Sequence, residues 1–201
     1  MPKKFDLHIH TYFSDGINSP REVVKQAKAI GLDGIAITDH DTVEGMKLAK
    51  TIAKKLDIML IPGLEITTPF GDILALGIEE VIEIKHKDKK MIFSIIDEIH
   101  SLGGIAIAAH PYGGYWPMKF ADMKDILKRF DAIEVFNAFA SANFGIEANI
   151  KAMELANKLK LPGTASSDAH SLDMIGTAFT IPQSSNIITA IKKNKIKIGW
   201  L

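Results

Sequence analysis

Residues 6–16 of the chain read DLHIHTYFSDG, a short apolar segment that runs directly into polar side chains. His8 and His10 stand two residues apart, so on a strand both side chains point to the same face. Burying two imidazoles on one face costs free energy unless they share a ligand or several hydrogen bonds. The stretch therefore predicts a strand whose end carries a metal-competent cluster, which Asp15 can join from the following loop.

The same arrangement recurs at the carboxyl end of nearly every other apolar segment. Each of these segments is followed by histidine or carboxylate side chains, and together with His8 and His10 the set holds five of the seven histidines. The carboxyl ends of the strands of a βα barrel converge on one mouth, so these residues are expected to meet in space. They are Asp39, His40 and Asp41, then Glu65, then His110, then Glu134 and Asn137, and finally Asp168 and His170.

Strand and helix patterns alternate along the chain with a period of roughly 30 residues, which is typical of βαβ units. The helix predicted over residues 19–32 shows clear end signals, because Ser19 is a good N-cap and Gly31 ends the pattern. The third strand is predicted over residues 58–67. About seven βα units predict an α/β fold in which a mostly parallel sheet closes, or nearly closes, into a barrel within one domain.

The composition excludes several classes of protein. The chain has 201 residues, 47% of them hydrophobic and 24% charged, which is enough for a globular core. The formal net charge is zero, so no binding of duplex nucleic acid is expected. The chain has no cysteine, which excludes disulfides and thiolate ligands. We find no signal peptide and no membrane-spanning run, and expect a cytoplasmic protein.

Imidazole and carboxylate donors without thiolate are typical of zinc, manganese or iron sites. The set offers more donors than one ion needs. A carboxylate such as Glu65 can bridge two ions, so we expect a multinuclear site with ions roughly 3.5–4 Å apart. Each residue taken singly has another interpretation, as a cap, a turn residue or a hydrogen-bonded core histidine. The whole array would cost too much free energy to bury without a cation.

The ordered motifs resemble those of the PHP (polymerase and histidinol phosphatase) family. The resemblance extends from Asp6 to about Thr180. It implies a distorted (β/α)7 TIM-like barrel, a single PHP domain over residues 1–201, and two or three divalent ions of zinc, manganese or iron. The motifs that carry it are DLHIHTYFSDG, GIAITDHDTVEG, PGLEIT, IAAHP, IEVFN and SSDAH.

The resemblance also assigns metal ligands, residue by residue. It implies one ion held by His8, His10, Glu65 and Asp168. Glu65 would bridge to a second ion bound by His110, and Asp15, His40 and His170 would hold a third. Many relatives carry a histidine in the segment over residues 71–78, where this chain offers Asp72 as a ligand. The predicted catalytic residues are Glu65, Asp168 and His170, while Asp39 and Glu134 are expected to orient ligand histidines.

Substrate contacts are predicted in the segment PYGGYWPMKF, residues 111–120, where Tyr112, Trp116 and Lys119 could stack on a base or meet a phosphate. Packing as loop anchors is the alternative. We expect a metal-dependent phosphoesterase that uses metal-bound hydroxide on small phosphomonoesters or nucleotides. One alternative is an amidohydrolase-like enzyme, although no strand-end lysine is available to bridge its metals. The other is a non-catalytic metal-binding scaffold.

Overall fold

Strands and helices alternate along the computed structural model, which describes residues 2–84, 88–113 and 124–201. Ten strands and seven helices lie within these ranges. In chain order they are β1 (Phe5–Asp6), α1 (Pro20–Ala29), β2 (Gly34–Ala36), α2 (Glu44–Leu56), β3 (Met59–Ile61), β4 (Gly63–Ile66), β5 (Ile73–Leu76), α3 (Lys90–Ser101), β6 (Ile105–Ala108), α4 (Lys124–Leu127), β7 (Ala132–Asn137), α5 (Ala138–Phe144), α6 (Glu147–Leu159), β8 (Gly163–Ser166), β9 (Ala178–Pro182), α7 (Ile187–Lys192) and β10 (Ile196–Trp200).

The first helix begins and ends where the sequence predicted. Ser19 Oγ accepts a hydrogen bond from the backbone N–H of Glu22 at 3.2 Å, and the Glu22 carboxylate accepts from the Ser19 N–H at 2.9 Å. This reciprocal pair is a capping box, which satisfies two otherwise unpaired donors of the first turn. Gly31 follows the helix with a positive φ of 79°. Among the described helices, none is long and apolar enough to cross a membrane.

The strands form two mixed sheets. The first has the order β10-β9-β1-β2-β3 and the second β4-β5-β6-β7-β8. Pairs β1–β2, β2–β3, β6–β7 and β7–β8 are parallel, whereas the other four pairs are antiparallel. The expectation of a mostly parallel sheet was therefore wrong. The α/β class is confirmed, but these pairings do not close into a (β/α)7 barrel, and that closure is not confirmed.

Pro62 separates two strands where the sequence predicted one over residues 58–67. β3 ends at Ile61 and belongs to the first sheet, while β4 begins at Gly63 and belongs to the second. Proline has no N–H to donate to a ladder, so it interrupts the pairing. Its carbonyl accepts instead from the N–H of Gly77 at 2.7 Å. This break carries Glu65 into the second sheet.

Three apolar clusters lie among the described residues, and the two larger ones hold the sheets and helices together. The larger one packs side chains of α1, α2 and α3, such as Val24, Met46 and Ile96, against the strands. The second joins strands of both sheets, from Phe5 on β1 to Ile107 on β6, and includes residues of α7. Burial of these apolar side chains is the main stabilising contribution. Helix α5 and strand β10 were not predicted from the sequence.

Candidate metal centre

The residues predicted as metal ligands come together where strands of the two sheets end. Isolated backbone bridges join the sheets here, one between His40 and Glu65 and one between Ile9 and Ala169. The cluster therefore lies across the junction of the sheets. Its members follow β1 (His8, His10 and Asp15), follow β2 (His40), lie within β4 (Glu65), precede β5 (Asp72), follow β6 (His110) and follow β8 (Asp168 and His170).

Four donor atoms converge at the first position. His8 Nε2 and His10 Nε2 are 3.1 Å apart. Each lies 3.0–3.2 Å from Glu65 Oε2 and 3.2–3.3 Å from Asp168 Oδ1. A tetrahedral ion with bonds of about 2.0 Å places its ligand atoms about 3.3 Å apart. The spacing and the donor types fit one divalent ion held by two imidazoles and two carboxylates.

The second position shares Glu65 with the first. Glu65 Oε1 lies 3.1 Å from His110 Nε2, while Oε2 faces His8 and His10. Asp72 completes this group, since the donor atoms of Glu65, Asp72 and His110 all lie within 4.8 Å of one another. One buried carboxylate thus presents one oxygen to each of two donor groups, the arrangement by which a carboxylate bridges two ions.

The third position is the most exposed. Asp15 Oδ2 lies 3.2 Å from His170 Nε2 and 3.7 Å from His40 Nε2. Asp15 Oδ1 lies 3.3 Å from His10 Nδ1. The Asp15 side chain is 52% exposed, against 1% for Glu65. The cluster therefore runs from a buried end at His8 and Glu65 to a solvent-facing end at Asp15 and His170.

Hydrogen bonds at Nδ1 orient four of the histidines. The Nδ1 atom of His8 lies 3.1 Å from Glu134 Oε1, and that of His170 lies 2.9 Å from the Asp168 carbonyl oxygen. The Nδ1 atom of His40 faces the Thr67 hydroxyl at 3.0 Å, and that of His10 faces the Ser14 hydroxyl at 3.3 Å. Protonation at Nδ1 leaves the Nε2 lone pair toward the cluster, as metal-binding histidines require.

Asn137 has a structural role that the sequence did not predict, although its position at the end of β7 was noted. Its Nδ2 donates to Glu134 Oε2 and to Asp168 Oδ2, both at 3.0 Å. Its Oδ1 accepts from the N–H of Ala140 and so caps α5. Glu134 Oε2 also accepts from the His110 N–H at 2.8 Å. Asn137 therefore links Glu134, Asp168 and the start of α5.

Asp39 holds the loop that carries Asp15. Its carboxylate accepts from the Thr11 N–H at 2.6 Å, the Thr11 hydroxyl at 2.8 Å and the Ser14 hydroxyl at 3.0 Å. Because the Ser14 hydroxyl faces His10, Asp39 supports that histidine through Ser14. Its predicted role is thus indirect, whereas Glu134 contacts His8 itself. Gly45 permits the close approach, since a Cβ there would lie 2.0 Å from Asp39 Oδ2.

The charges of the cluster raise the pKa values of its histidines and lower that of Glu65. Burial would lower the pKa of His10, but hydrogen bonds to Asp168 and Glu65 outweigh it and raise the pKa to about 9. The pKa of His110 is likewise about 9, because Glu65 outweighs burial. Burial would raise the pKa of Glu65, yet His8 and the other histidines hold it well below its usual range. In the absence of a cation, protons on the histidines neutralise the carboxylates.

Asp72 behaves differently from the other acids. Burial raises its pKa to about 7, and the negative charge of Glu65 adds to that rise. A carboxyl group that resists ionisation beside another carboxylate is typical of a site built around a cation. This environment agrees with the inclusion of Asp72 among the candidate ligands.

One of the three predicted substrate contacts, Tyr112, lies among the described residues. Tyr112 lines a small cavity of about 180 Å³ beside α6, together with Lys151, Glu154, Leu155 and Lys158. It also packs against the larger apolar cluster. Trp116 and Lys119 lie outside the described residues. The substrate-binding role of these three residues stays a prediction.

Comparisons with known proteins place this chain in a family. The family model of the PHP domain matches residues 6–151, and a model described as PHP-associated matches residues 147–196. An uncharacterized protein from Methanocaldococcus jannaschii is 34% identical over 147 residues, which cover 68% of this chain and 82% of that protein. A 5'-3' exoribonuclease from Haemophilus influenzae is 48% identical over 68 residues, which cover 34% of this chain but 25% of the enzyme.

A solved structure shares the fold. It is a two-domain protein from Bacteroides vulgatus, described as containing a predicted PHP-like metal-dependent phosphoesterase. The match has a TM-score of 0.78 at 22% identity, and it covers all of this chain and 65% of that one. At this identity the likeness shows the fold alone.

Proposed function

This chain belongs to the PHP domain family, and on that premise we propose that it is a metal-dependent phosphoesterase acting on small phosphomonoesters or nucleotides. The observation that carries the proposal is the position of Glu65. Its buried carboxylate lies within 3.2 Å of His8 and His10 through one oxygen and 3.1 Å from His110 through the other. Phosphoryl-transfer sites with two or more ions are built around such shared carboxylates.

The cofactors proposed are two or three divalent ions of zinc, manganese or iron. The donor set fits them because it contains only imidazole nitrogens and carboxylate oxygens. When bound, the ions would supply Lewis acidity toward the phosphoryl oxygens and activate water for attack on phosphorus. The residues that would hold them are His8, His10, Asp15, His40, Glu65, Asp72, His110, Asp168 and His170.

The chain's own residues would have different roles at the two ends of the cluster. Glu65 and Asp168 hold the imidazoles of His8 and His10 in place. His170 lies at the exposed end beside Asp15, where a phosphate would arrive from solvent. We therefore assign the catalytic roles to Glu65, Asp168 and His170. The partner is a small phosphorylated compound or nucleotide, and the exoribonuclease among the relatives supports the nucleotide class.

We further propose that residues 1–201 form one PHP domain whose strands approximate a distorted (β/α)7 barrel. Two bridges support this arrangement, His40 with Glu65 on one side and Ile9 with Ala169 on the other. Each joins one sheet to the other, so the strands surround the second apolar cluster. A fragment that ends before β8 would lose Asp168 and His170, and we expect it to lack the first metal position.

The donor set disfavours the two alternatives. Glu65 contacts four histidines of the cluster, His8, His10, His40 and His110, and it occupies the bridging position that a carbamylated lysine would fill in an amidohydrolase. A non-catalytic scaffold has no need for a complete set of donors at each position. Metal analysis combined with activity assays distinguishes both alternatives from the phosphoesterase.

The test combines metal analysis with phosphate release. The purified chain is analysed for bound elements and assayed on p-nitrophenyl phosphate, on its bis ester and on a nucleotide panel, with and without Mn²⁺. We expect two or three ions per chain and phosphate release that increases with Mn²⁺. Glu65→Gln should lose both activity and metal. His100→Gln is the control, because His100 pairs with Asp131 outside the cluster.

Each outcome of these measurements supports or excludes one of the three functions. Bound metal with phosphate release supports the phosphoesterase. Bound metal with hydrolysis of an amide panel, but of no phosphate ester, would indicate the amidohydrolase. Bound metal without turnover of any substrate would indicate the scaffold, and no metal affinity at all would overturn the proposal.

A further inference from the structure

Asp6 is a fully buried acid that the proposed chemistry does not use. Its Oδ1 accepts from the Ser167 N–H at 3.0 Å. Its Oδ2 accepts from the Ser167 hydroxyl at 2.5 Å and from the Gly176 N–H at 2.8 Å. Asp6 and Ser167 are 161 residues apart in the chain. Asp6 has no exposed surface and loses its hydration on folding, and these three hydrogen bonds offset part of that cost.

These contacts tie together the two sheets beside the cluster. Asp6 ends β1 of the first sheet, while Ser167 directly follows β8 of the second. The two strands continue toward the cluster in contact. The His10 N–H donates to the Ala169 carbonyl at 2.8 Å, and the Ala169 N–H donates to the His8 carbonyl at 3.3 Å. Asp6 therefore lies at the base of the junction that carries His8 and Asp168.

Both peptide groups of Ser167 are fixed by hydrogen bonds. Its N–H is fixed by Asp6, and its carbonyl accepts from the Phe139 N–H at 3.0 Å. That carbonyl belongs to the peptide group that leads into Asp168. Fixing it restricts the rotation that points the Asp168 side chain into the cluster.

Asp168 needs this support, because its backbone has a positive φ of 55°. The left-handed region is unfavourable for a residue with a Cβ, and it persists only where the surroundings enforce it. Here the peptide group before Asp168 is fixed through Ser167, and its own carbonyl faces His170 Nδ1 at 2.9 Å. The conformation places Asp168 Oδ1 within 3.3 Å of both His8 and His10.

We propose that Asp6 is a positioning residue for the metal centre, which acts through Ser167 to hold Asp168 in its left-handed conformation opposite His8. The inference rests on the proposed function, since it concerns the first metal position. Asp6 contacts neither metal nor substrate in this scheme. It sets the distance between two ligands that come from different sheets.

The experiment measures metal affinity in folded protein. Mn²⁺ is titrated calorimetrically into metal-free wild-type chain, Asp6→Asn and Ser167→Ala, at a temperature where circular dichroism shows each to be folded. Asp131→Asn is the matched control. Asp131 also accepts a backbone N–H, that of Ala106 at 2.9 Å, but it lies at the amino ends of β6 and β7, away from the cluster.

Asp6→Asn should weaken Mn²⁺ binding about tenfold to a hundredfold, the range found when groups that support metal ligands are lost. An asparagine replaces one acceptor oxygen with an N–H₂ donor, so either the Ser167 N–H or the Gly176 N–H loses its acceptor. Ser167→Ala should show a smaller loss, because the backbone N–H still reaches Asp6. In both variants kcat should fall at saturating metal while KM changes little. Asp131→Asn should lower the melting temperature and leave Mn²⁺ affinity unchanged.

Mn²⁺ affinity within about twofold of wild type in Asp6→Asn, with a lower melting temperature as in Asp131→Asn, would overturn the proposal and leave Asp6 a purely stabilising contact. If Asp6→Asn does not fold, Ser167→Ala decides by the same criterion. A wild-type chain that binds no Mn²⁺ would overturn the proposed function together with this inference. Wild-type binding with unaffected variants overturns the inference alone.

Discussion

His8 and Glu134, which are 126 residues apart in the chain, form a fully buried pair in which His8 Nδ1 donates to Glu134 Oε1 at 3.1 Å. An ionised carboxylate can only accept, so the contact fixes a proton at Nδ1 and leaves Nε2, which faces Glu65 and Asp168, as the nitrogen that would bind an ion once deprotonated. Glu134 also accepts from the backbone of His110. One acid thus orients donors of the first and second metal positions.

Glu134→Gln should weaken metal binding about tenfold to a hundredfold. Glutamine presents an N–H₂ group to at least one of three donors, the His8 ring, the His110 N–H and the Asn137 amide, so one of them loses its acceptor. Competition with a fluorescent chelator measures the affinity. Glu154→Gln on the exposed face of α6 is the control and should leave it unchanged. An unaltered affinity in Glu134→Gln would contradict the orienting role.

Gly45→Ala should destabilise the protein by about 1–3 kcal/mol, as overpacking does, although alanine favours a helix over glycine by roughly 0.5–1 kcal/mol. The new Cβ would lie 2.0 Å from Asp39 Oδ2 and 2.8 Å from Thr11 Oγ1. Displacement of Asp39 would release the loop that carries Asp15. Urea unfolding measures the sign of the change. A gain in stability would show that Asp39 and Thr11 can move away from the new Cβ at no cost in free energy.

The metal-free protein should lose stability as the pH rises from about 6.5 to about 9. His10 and His110 have folded pKa values raised to about 9 from an ordinary value of 6.5. The folded state therefore holds its protons more tightly than the unfolded state. The contribution is fully present below pH 6.5 and is lost as the pH passes through about 9, on the order of 3 kcal/mol at most for each histidine.

Metal should abolish this dependence, because a bound cation takes the place of the protons and its binding releases them. Urea unfolding at pH 6.5 and at pH 9, with chelator-treated and with Mn²⁺-loaded protein, measures both curves. Equal stability of the chelator-treated protein at the two pH values would contradict the raised pKa values.

Phe139→Ala should loosen the third metal position and leave the first intact. The His170 ring contacts two other rings, since its centroid lies 4.5 Å from that of His10 and 4.9 Å from that of Phe139. Removing the Phe139 ring removes one of these two contacts. We expect one ion fewer per chain after gel filtration. Phe144→Ala on the same helix is the control, since Phe144 lies 39% exposed at the end of α5. Equal metal content in both variants would contradict the prediction.

Local features of the fold were predicted well from the sequence because they depend on neighbouring residues. The capping box at Ser19 and Glu22 depends on residues three apart, and the helix that it begins was predicted nearly to its ends.

The regular pairing of β1 is shorter than predicted, covering only Phe5–Asp6. After Asp6 the chain leaves the regular backbone pairing with β2. The Ile9 N–H, which lies between the two histidines, donates to the Thr38 hydroxyl at 3.2 Å.

The sequence by itself determined which residues could form the cluster, because histidine or carboxylate side chains stand at the ends of most of its apolar segments. The tertiary structure decided the rest. Pro62 sends Glu65 into the second sheet, and contacts across 126 and 161 residues, His8 with Glu134 and Asp6 with Ser167, set the positions of the donors. Such contacts leave no periodic signal in a sequence, since partners that meet only after the sheets assemble can lie at any separation along the chain.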